Sequence, residues 1–251
     1  MRVIVVKDKR EMGERAADLV VAAMKRHHNP VLGLATGSTP LSLYEALIRR
    51  HKEQDLDFST AISFNLDEYV GLSPEHDQSY RYFMNVNLFD HININKKNTH
   101  VPSGYTTDFE ALEAICEEYE RRINDVGGID VQVLGIGANG HIGFNEPGSS
   151  LGSLTRIKTL TRQTREDNAR FFSSMDEVPK YAVTMGIGTI LNARRVVLLA
   201  NGENKAAAVA AALEGPVTAS CPASALQLHR YATYVIDQAA ASRLKLEGYE
   251  H

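Results

Sequence analysis

A histidine and a glutamate on one glycine-rich loop are the residues of this sequence best suited to chemistry. His141 and Glu146 lie five positions apart, after the apolar run at residues 129–134. A carboxylate can fix the tautomer of an imidazole and tune its basicity. A single histidine is more often structural, but one packed between glycines is a poor core residue. We therefore interpret the two side chains as an acid/base and its orienting group.

The same loop also matches the G-x-G-x-x-G pattern of dinucleotide-binding sites, at residues 135–140. The residues that follow argue against a dinucleotide. No segment with helical periodicity begins there, and no Asp or Glu occurs between Glu146 and Glu166 to bind a ribose. A loop that carries catalytic side chains is the better interpretation.

A second candidate is the pair of adjacent carboxylates, Asp67 and Glu68, after the apolar run at residues 61–66. A carboxylate partly shielded at a strand end could act as a general base. Adjacent residues of an extended chain point in opposite directions, so only one of the two is expected to face a crevice. The alternative is an acidic loop that faces water.

Small hydroxyl residues form a turn after the predicted strand at residues 31–34. Thr39 and Pro40 are a good N-cap and first-turn pair for the helix that follows. Free backbone N–H groups and the helix dipole make such a turn an anion site. The alternative is a capped turn without a ligand. The turn consists of Thr36, Gly37, Ser38 and Thr39.

Basic residues are concentrated late in the chain, where residues 156–170 hold five Arg or Lys against two acids. Guanidinium groups suit phosphate oxygens. Lys205 is predicted at a helix start, which suits a bound anion because the dipole disfavours a cation there. The alternative is a solvated basic face. The basic residues are Arg156, Lys158, Arg162, Arg165, Arg170 and Lys205.

Apolar runs alternate with segments of helical periodicity along the whole chain. This alternation predicts an α/β fold: one domain, residues 1–251, with an open, mostly parallel sheet and helices on both faces. In such folds ligands gather beyond the carboxyl ends of the strands, which the candidate segments follow. Strands are predicted at 2–6, 31–34, 61–66, 129–134, 183–185, 196–200 and 231–236, and helices at 8–23, 39–48, 79–88, 108–126, 165–172, 205–213 and 238–246.

Composition excludes several classes of protein. The chain has 251 residues, of which 43% are hydrophobic, and a net charge of −4. It is long enough for a self-sufficient core, and its balanced charge argues against nucleic-acid or membrane-surface binding. Two cysteines without metal-type spacing indicate neither a disulfide framework nor zinc. No signal-peptide core or membrane-length apolar run is visible, so a soluble, cytoplasmic protein is expected.

Taken in order, these segments resemble the glucosamine-6-phosphate deaminase family, whose members are also called glucosamine-6-phosphate isomerases. The similarity covers essentially the whole chain. It implies a single modified Rossmann-like domain and conversion of glucosamine 6-phosphate and water to fructose 6-phosphate and ammonia, in amino-sugar catabolism. It implies no metal and no organic cofactor. The matching motifs are LGLATGSTP (32–40), NLDEYVGL (65–72), SYRYFMNVNLFDHI (79–92), LGIGANGHIGFNEPG (134–148), RIKTLT (156–161) and VPKYAVTMGIGTIL (178–191).

The resemblance also implies a role for each motif residue. Asp67 is the enolisation base, which moves a proton between C2 and C1 of the opened sugar. His141 opens the pyranose ring, supported by Glu146 and the residue at position 139. The turn at residues 36–39, Arg170 and Lys205 take the phosphate. Residues 156–185 resemble the family's mobile lid.

Two departures from the family pattern bear on these roles. Position 139 is Asn, where the best-known members have Asp, so it can hold His141 by a hydrogen bond but supplies no charge. Arg156 and Lys158 match residues that bind N-acetylglucosamine 6-phosphate between subunits of hexameric members. The chain ends at His251, short of the extension that helps to build that site, which counts against allostery and a hexamer. The two residues could then be vestigial and serve only lid packing, and monomer or homo-oligomer stays undecided.

Two other functions are compatible with parts of the sequence. A lactonase or pentose-phosphate isomerase on the same scaffold would use the phosphate turn with other groups at Asp67 and His141. A sugar-phosphate sensor would need a DNA-binding module, and no helix-turn-helix segment lies outside the predicted α/β core. The sequence therefore favours a sugar-phosphate enzyme.

Overall fold

Ten strands and seven α-helices make up the part of the chain that the computed structural model describes, residues 1–169 and 172–245. The strands are β1 (Arg2–Val6), β2 (Val31–Leu34), β3 (Ile62–Asn65), β4 (Asp67–Tyr69), β5 (Thr99–His100), β6 (Val131–Leu134), β7 (Arg156–Thr159), β8 (Tyr181–Thr184), β9 (Val196–Ala200) and β10 (Ala232–Asp237). The helices are α1 (Lys9–Met24), α2 (Leu41–Gln54), α3 (Tyr80–Asn87), α4 (Phe109–Asp125), α5 (Arg162–Asn168), α6 (Ile187–Leu191) and α7 (Ala206–Glu214).

Seven strands form one sheet in which all neighbouring pairs are parallel. Their order is β1-β10-β9-β6-β2-β3-β5. Every residue of β2, β6 and β9 is buried, as their continuous apolar runs predict for strands covered on both faces. The predicted α/β fold, an open sheet with helices on both faces, is confirmed.

Local sequence signals account for the helices that flank the sheet. Asp8 caps α1 by accepting a hydrogen bond from the backbone N–H of Glu11 at 2.9 Å, and Asp108 caps α4 in the same way. Tyr119 of α4 packs edge-on against Phe64 of β3, with 5.5 Å between the ring centroids. That contact holds α4 against the sheet.

A second, smaller sheet was not predicted. It contains β4, β8 and β7 in that order, all antiparallel. Asp67 pairs with Thr184, which pairs on its other side with Arg156. No strand is predicted at residues 156–159, because four residues with two basic side chains have no strong strand pattern. The pairing itself, which joins residues far apart in sequence, makes β7 a strand.

Glu120 of α4 anchors this small sheet to the rest of the molecule. Its Oε1 accepts hydrogen bonds from the backbone N–H of Thr155 at 2.8 Å, from the Thr155 hydroxyl and from the Thr189 hydroxyl at 2.6 Å. The start of β7 and helix α6 therefore share one carboxylate, and the orientation of the small sheet is fixed where it begins.

The predicted start of α2 is wrong by one residue. The helix begins at Leu41, and Pro40, rather than Thr39, occupies the cap position without a side-chain capping bond. The turn before it is held differently, by a hydrogen bond from the buried Tyr44 hydroxyl to the carbonyl of Ala35.

Two predictions near the end of the chain also need correction. The helix expected at 165–172 is α5, which begins earlier because Thr161 caps it by accepting from the N–H of Thr164 at 3.1 Å. The last predicted helix, at 238–246, is a series of turns as far as residue 245, and residue 246 lies outside the described residues. There Gln238 donates its N–H to Val6 in the sheet and the Asp237 carboxylate accepts from Ala240. A single i→i−4 bond, from Ala241 to the Asp237 carbonyl, is followed by i→i−3 turns instead of a helix. No helix among the described residues is long and apolar enough to cross a membrane.

Candidate functional site

Three of the four predicted segments, and Lys205 of the fourth, lie at one edge of the central sheet. They follow β9, β6, β2 and β3, which are consecutive neighbours in the parallel sheet. The carboxyl ends of parallel strands share an edge, and this edge is where ligands bind in open α/β folds. Segments spread over most of the chain are therefore brought together, as the sequence predicted.

The turn at residues 36–39 lies at the end of β2 and is open to solvent at its tip. Gly37 has φ +91°, a conformation that favours glycine, and a Cβ placed there would meet no atom within 4 Å. Pro40, at the cap position of α2, makes no side-chain hydrogen bond to the helix, so the cap residue does not compete for the backbone N–H groups of the first turn. This arrangement suits an anion.

Lys205 lies two strands away, beyond the end of β9, at the cap position of α7. The turn before it contains Gly202, whose φ is +90° and whose N–H donates to the Asp237 carboxylate at 3.0 and 3.1 Å. Neighbouring strands are about 4.8 Å apart, so the lysine and the turn after β2 are separated by a distance of the order of a sugar phosphate. Arg170, the other predicted phosphate ligand, lies outside the described residues.

Asp67 is buried where the chain leaves β3 and enters the small sheet, with only 6% of the residue exposed. No hydrogen bond reaches its carboxylate from the described residues. Glu68, next in the chain, is also buried but is differently placed. It accepts hydrogen bonds from the backbone N–H groups of Tyr69 at 2.8 Å, Tyr80 at 2.9 Å and Arg81 at 3.0 Å. The two adjacent carboxylates therefore have separate environments.

These environments set an order of ionisation. Burial raises the pKa of Glu68 to about 7, and its three backbone donors stop it from rising further. Burial raises the pKa of Asp67 to about 8, and the neighbouring Glu68 charge adds to the shift. Glu68 ionises first, and Asp67 is then a carboxylate whose basicity suits proton transfer near neutral pH.

His141 belongs to a hydrogen-bonded relay with Asn139 and Glu146. Its Nδ1 lies 2.7 Å from Asn139 Oδ1, and Asn139 Nδ2 donates to Glu146 Oε2 at 2.8 Å. An amide oxygen only accepts, so His141 carries its proton on Nδ1 and leaves Nε2 available. His141 Nδ1 is 3.6 Å from Glu146 Oε2, so the amide is the direct partner of the ring.

Glu146 is the buried end of this relay. Its Oε2 faces Asn139, and its Oε1 accepts a hydrogen bond from the hydroxyl of Thr164, on α5. Burial alone would raise the pKa of Glu146, but the neighbouring His141, the Thr164 hydroxyl and the Asn139 amide together lower it to about 2. Glu146 is therefore ionised throughout the range in which Asp67 titrates.

The glycines of the loop place the imidazole rather than cradle a cofactor. A Cβ on Gly137 would lie 2.2 Å from His141 Cε1 and 2.3 Å from Nδ1, so the ring occupies the space that this glycine leaves. The N–H of Gly137 also donates to the carbonyl of His141 at 2.9 Å. No helix starts in this loop.

The loop and the Asp67 strand are in contact. A Cβ on Gly143 would lie 3.4 Å from Asp67 Oδ2 and 3.0 Å from Thr184 Oγ1, and the N–H of Phe144 donates to the Thr184 hydroxyl at 3.1 Å. Asp67 therefore faces the loop that carries His141, two residues away from Gly143, and does not point outward into solvent.

Aromatic side chains form one wall beside Asp67. Tyr69 lies 4.9 Å from Tyr80, 5.7 Å from Phe144 and 6.0 Å from Phe172, measured between ring centroids. Tyr69 and Tyr80 are close enough to Asp67 for its charge to raise the pKa of both phenols, so these rings contribute to the burial of the carboxylate. Neither the wall nor Thr164 was found from the sequence. A Thr-x-x-Thr pair opening a polar helix was the only available signal for Thr164.

Arg156 and Lys158 lie on β7, at the far side of the small sheet from Asp67. Arg156 is half-buried, and burial lowers its pKa. Both lie outside the relay. Within the described ranges, no group of three His, Cys, Asp or Glu side chains is arranged to hold a metal ion.

Comparisons with known proteins place this chain among sugar-phosphate enzymes. The family model for glucosamine-6-phosphate isomerases/6-phosphogluconolactonase matches residues 7–235. The glucosamine-6-phosphate deaminase of Shewanella woodyi is 56% identical over 252 residues, covering 100% of this chain and 94% of the relative. That of Clostridium perfringens is 53% identical over 245 residues, covering 98% of this chain and 100% of the relative.

Solved structures agree with the sequence comparisons. A monomeric glucosamine-6-phosphate deaminase superimposes with a TM-score of 0.93 at 46% identity, covering 96% of this chain and 99% of that chain. The 6-phosphogluconolactonase from Thermotoga maritima superimposes with a TM-score of 0.73 at 20% identity, covering 94% and 99%. The second likeness concerns the fold alone.

Proposed function

The chain belongs to the glucosamine-6-phosphate isomerase/6-phosphogluconolactonase family, and on that premise we propose that it converts glucosamine 6-phosphate and water to fructose 6-phosphate and ammonia. One observation carries the proposal. A buried aspartate, Asp67, faces the loop that presents the His141 relay, at the sheet edge that also holds an anion-type turn. An aldose–ketose conversion needs two such proton-transfer positions, one for the ring and one for C1 and C2.

His141 performs the first step in this proposal. Because its Nδ1–H is held by Asn139, its Nε2 can take the proton from the C1 hydroxyl and return it to the ring oxygen. The C1–O5 bond breaks, and an open-chain aldehyde forms. Glu146 keeps the Asn139 amide oriented so that its oxygen faces the imidazole. Only after this opening is the hydrogen at C2 acidic.

Asp67 performs the second step. Its carboxylate removes the proton from C2 while O1 takes a proton from the C2 ammonium group, which gives a neutral enolamine. The Asp67 carboxylic acid then delivers its proton to C1, which gives an iminium at C2. Water then adds to C2 and ammonia leaves, so fructose 6-phosphate results. Burial makes Asp67 a stronger base than a solvated carboxylate, and the aromatic wall around Tyr69 keeps competing water away. These steps are proton transfers and hydrolysis, and they need no cofactor.

The phosphate group is proposed to bind between the turn at residues 36–39 and Lys205, with Arg170 as a further ligand. Support comes from the uncapped start of α2 and from the position of Lys205 two strands away. Binding energy from the phosphate is remote from C1 and C2, so it serves to hold the opened sugar in register with the two proton-transfer groups.

Residues 156–185 are proposed to act as a lid over this site. The segment includes β7, α5 and β8, and it reaches the site through Thr164 and Phe172. A sugar phosphate confined by such a segment has to enter before the segment docks. We also propose a cytoplasmic location, since phosphorylated sugars are ionic metabolites that do not cross membranes unaided.

Ammonia release tests the proposed reaction. In a coupled assay the protein should release ammonia from glucosamine 6-phosphate and not from glucosamine, because only the first carries the phosphate anchor. The Asp67→Asn variant should release at least about a hundredfold less. Hydrolysis of 6-phosphogluconolactone without ammonia release would instead assign a lactonase.

A further inference from the structure

We propose that Thr164 is a positioning residue for ring opening, which completes the His141 relay when α5 is docked. The inference rests on the proposed function, because it assigns Thr164 a part in how His141 works. Thr164 lies on α5, 18 residues after Glu146 in the chain, and its hydroxyl bonds directly to the Glu146 carboxylate. The relay therefore ends in a residue of the proposed lid.

The hydrogen bonds between Thr164, Thr161 and Glu146 can be assigned consistently. A hydroxyl has one hydrogen, and that of Thr164 is directed to an ionised carboxylate, the strongest acceptor nearby. The Thr161 hydroxyl, 2.9 Å away, is then the donor to Thr164 Oγ1, while Thr161 Oγ1 accepts from the N–H of Thr164. Thr164 is thus oriented by the N-terminus of its own helix.

Glu146 connects α5 and the glycine-rich loop through its two carboxylate oxygens. Oε1 accepts from Thr164 on α5, and Oε2 accepts from Asn139 on the glycine-rich loop. Both Glu146 and Thr164 are buried, with 6% and 8% exposed. A buried carboxylate that loses one donor is more easily protonated or displaced, because water does not replace the missing bond.

Displacement or protonation of Glu146 acts on the imidazole through the Asn139 amide. While Glu146 is ionised and fixed, it requires Asn139 to present its NH2 group to Glu146 and its oxygen to His141. The backbone N–H of His141 also donates to Asn139 Oδ1, at 3.2 Å, so among the described residues only the contacts to His141 then hold the amide. A larger fraction of the amide rotates in that case, with its NH2 group facing His141 Nδ1. The imidazole must in that case carry its proton on Nε2, the nitrogen that has to accept the proton from the sugar. Docking of α5 therefore selects the active tautomer.

Two variants of Thr164 test this inference. Thr164→Val removes the hydroxyl but keeps the shape of the side chain, and Thr164→Ser keeps the hydroxyl. Thr155→Val is the matched control, because the Thr155 hydroxyl also donates to a carboxylate, that of Glu120, but lies outside the relay. Thr164→Val should lower kcat for ammonia release by roughly tenfold or more with little change in KM. Thr164→Ser and Thr155→Val should keep kcat within about threefold of the parent protein.

A measurement that needs no catalytic reaction tests this inference independently of the proposed function. Nitrogen chemical shifts of labelled histidine, with the His141 signals assigned by their loss in His141→Gln, report the tautomer in the protein alone. The parent protein, Thr164→Ser and Thr155→Val should show the Nδ1–H form, and Thr164→Val should show a larger Nε2–H population. An unchanged tautomer together with an unchanged kcat in Thr164→Val would overturn the inference. Absence of ammonia release by the parent protein would overturn the function, while the tautomer comparison would still decide on the relay.

Discussion

Two neighbouring carboxylates, Asp67 and Glu68, acquire different properties from their surroundings. The sequence predicted that only one of them faces the crevice, from the alternation of side chains along an extended chain. It could not show that the start of α3 supplies two of the three donors that bind Glu68, because those N–H groups are twelve and thirteen residues away. The raised basicity of Asp67 is therefore a property of the fold.

The raised pKa of Asp67 should make the thermal stability of the protein depend on pH. In the folded protein the pKa of Asp67 is about 8, whereas in the unfolded chain an aspartate loses its proton near pH 4. The free energy of unfolding therefore falls as the pH rises from about 4 to about 8. Asp67→Asn removes this loss. Between pH 5 and pH 9, the Tm of the variant relative to the parent protein should rise by roughly 10 °C in thermal melts. A Tm difference that does not change with pH would show that Asp67 ionises as easily folded as unfolded.

Glu68 should set the pH at which Asp67 works. Glu68→Gln removes a negative charge beside Asp67, so the pKa of Asp67 should fall and the ascending limb of the pH profile should move down by roughly one unit. The profile is best measured on hydrogen exchange at C1 of fructose 6-phosphate, a ligand without an amine. Melting curves of the variant serve as the folding control. If the ascending limb of the pH profile stays at the same pH or moves to higher pH, the Glu68 charge does not raise the pKa of Asp67.

At the scale of elements, the regular parts of the fold were predictable and the inserted parts were not. Strands such as β2 and β9 are continuous apolar runs with turns at their ends, and the structure keeps their predicted bounds. Strands β4 and β7 exist only because they pair with β8, a long-range contact that leaves no local pattern. Similarly, the run at 238–245 has helical composition, but its first N–H groups bond to the sheet and to Asp237, and later ones close short turns.

The glycine-rich loop offers a direct test of how an element positions its side chain. Gly137→Ala would put a methyl group within 2.2 Å of the His141 ring, while the backbone at Gly137 does not require positive φ. The imidazole should move away from Asn139, and kcat should fall by roughly a hundredfold with a small change in Tm. Equal losses of stability and activity would instead indicate a disrupted loop. Gly152→Ala, where a Cβ meets no atom within 4 Å, is the matched control.

At the scale of the whole molecule, the site exists because four adjacent parallel strands end at one edge. The sequence predicted this convergence, since each candidate segment follows a predicted strand. It could not give the order β9-β6-β2-β3, which places Lys205 on one flank and Asp67 on the other. The small sheet then covers this edge and brings α5 to Glu146.

The phosphate anchor should be separable from the chemistry. Lys205→Ala should raise the inhibition constant of inorganic phosphate and the KM for glucosamine 6-phosphate by about tenfold each, because one charged contact to the anion is lost. The variant should bind unphosphorylated glucosamine no differently from the parent protein. An unchanged inhibition constant for phosphate would place the anion elsewhere.

Hydrogen exchange between solvent and C1 of fructose 6-phosphate tests most directly whether Asp67 and the His141 loop act on one sugar. In deuterium oxide, proton spectra should show one of the two C1 hydrogens exchanging in the presence of the parent protein. In Asp67→Asn that exchange should fall by at least about a hundredfold while phosphate still binds. Exchange in Asp67→Asn at nearly the parent rate would contradict the account, because the proton would then be carried by a group other than the buried aspartate.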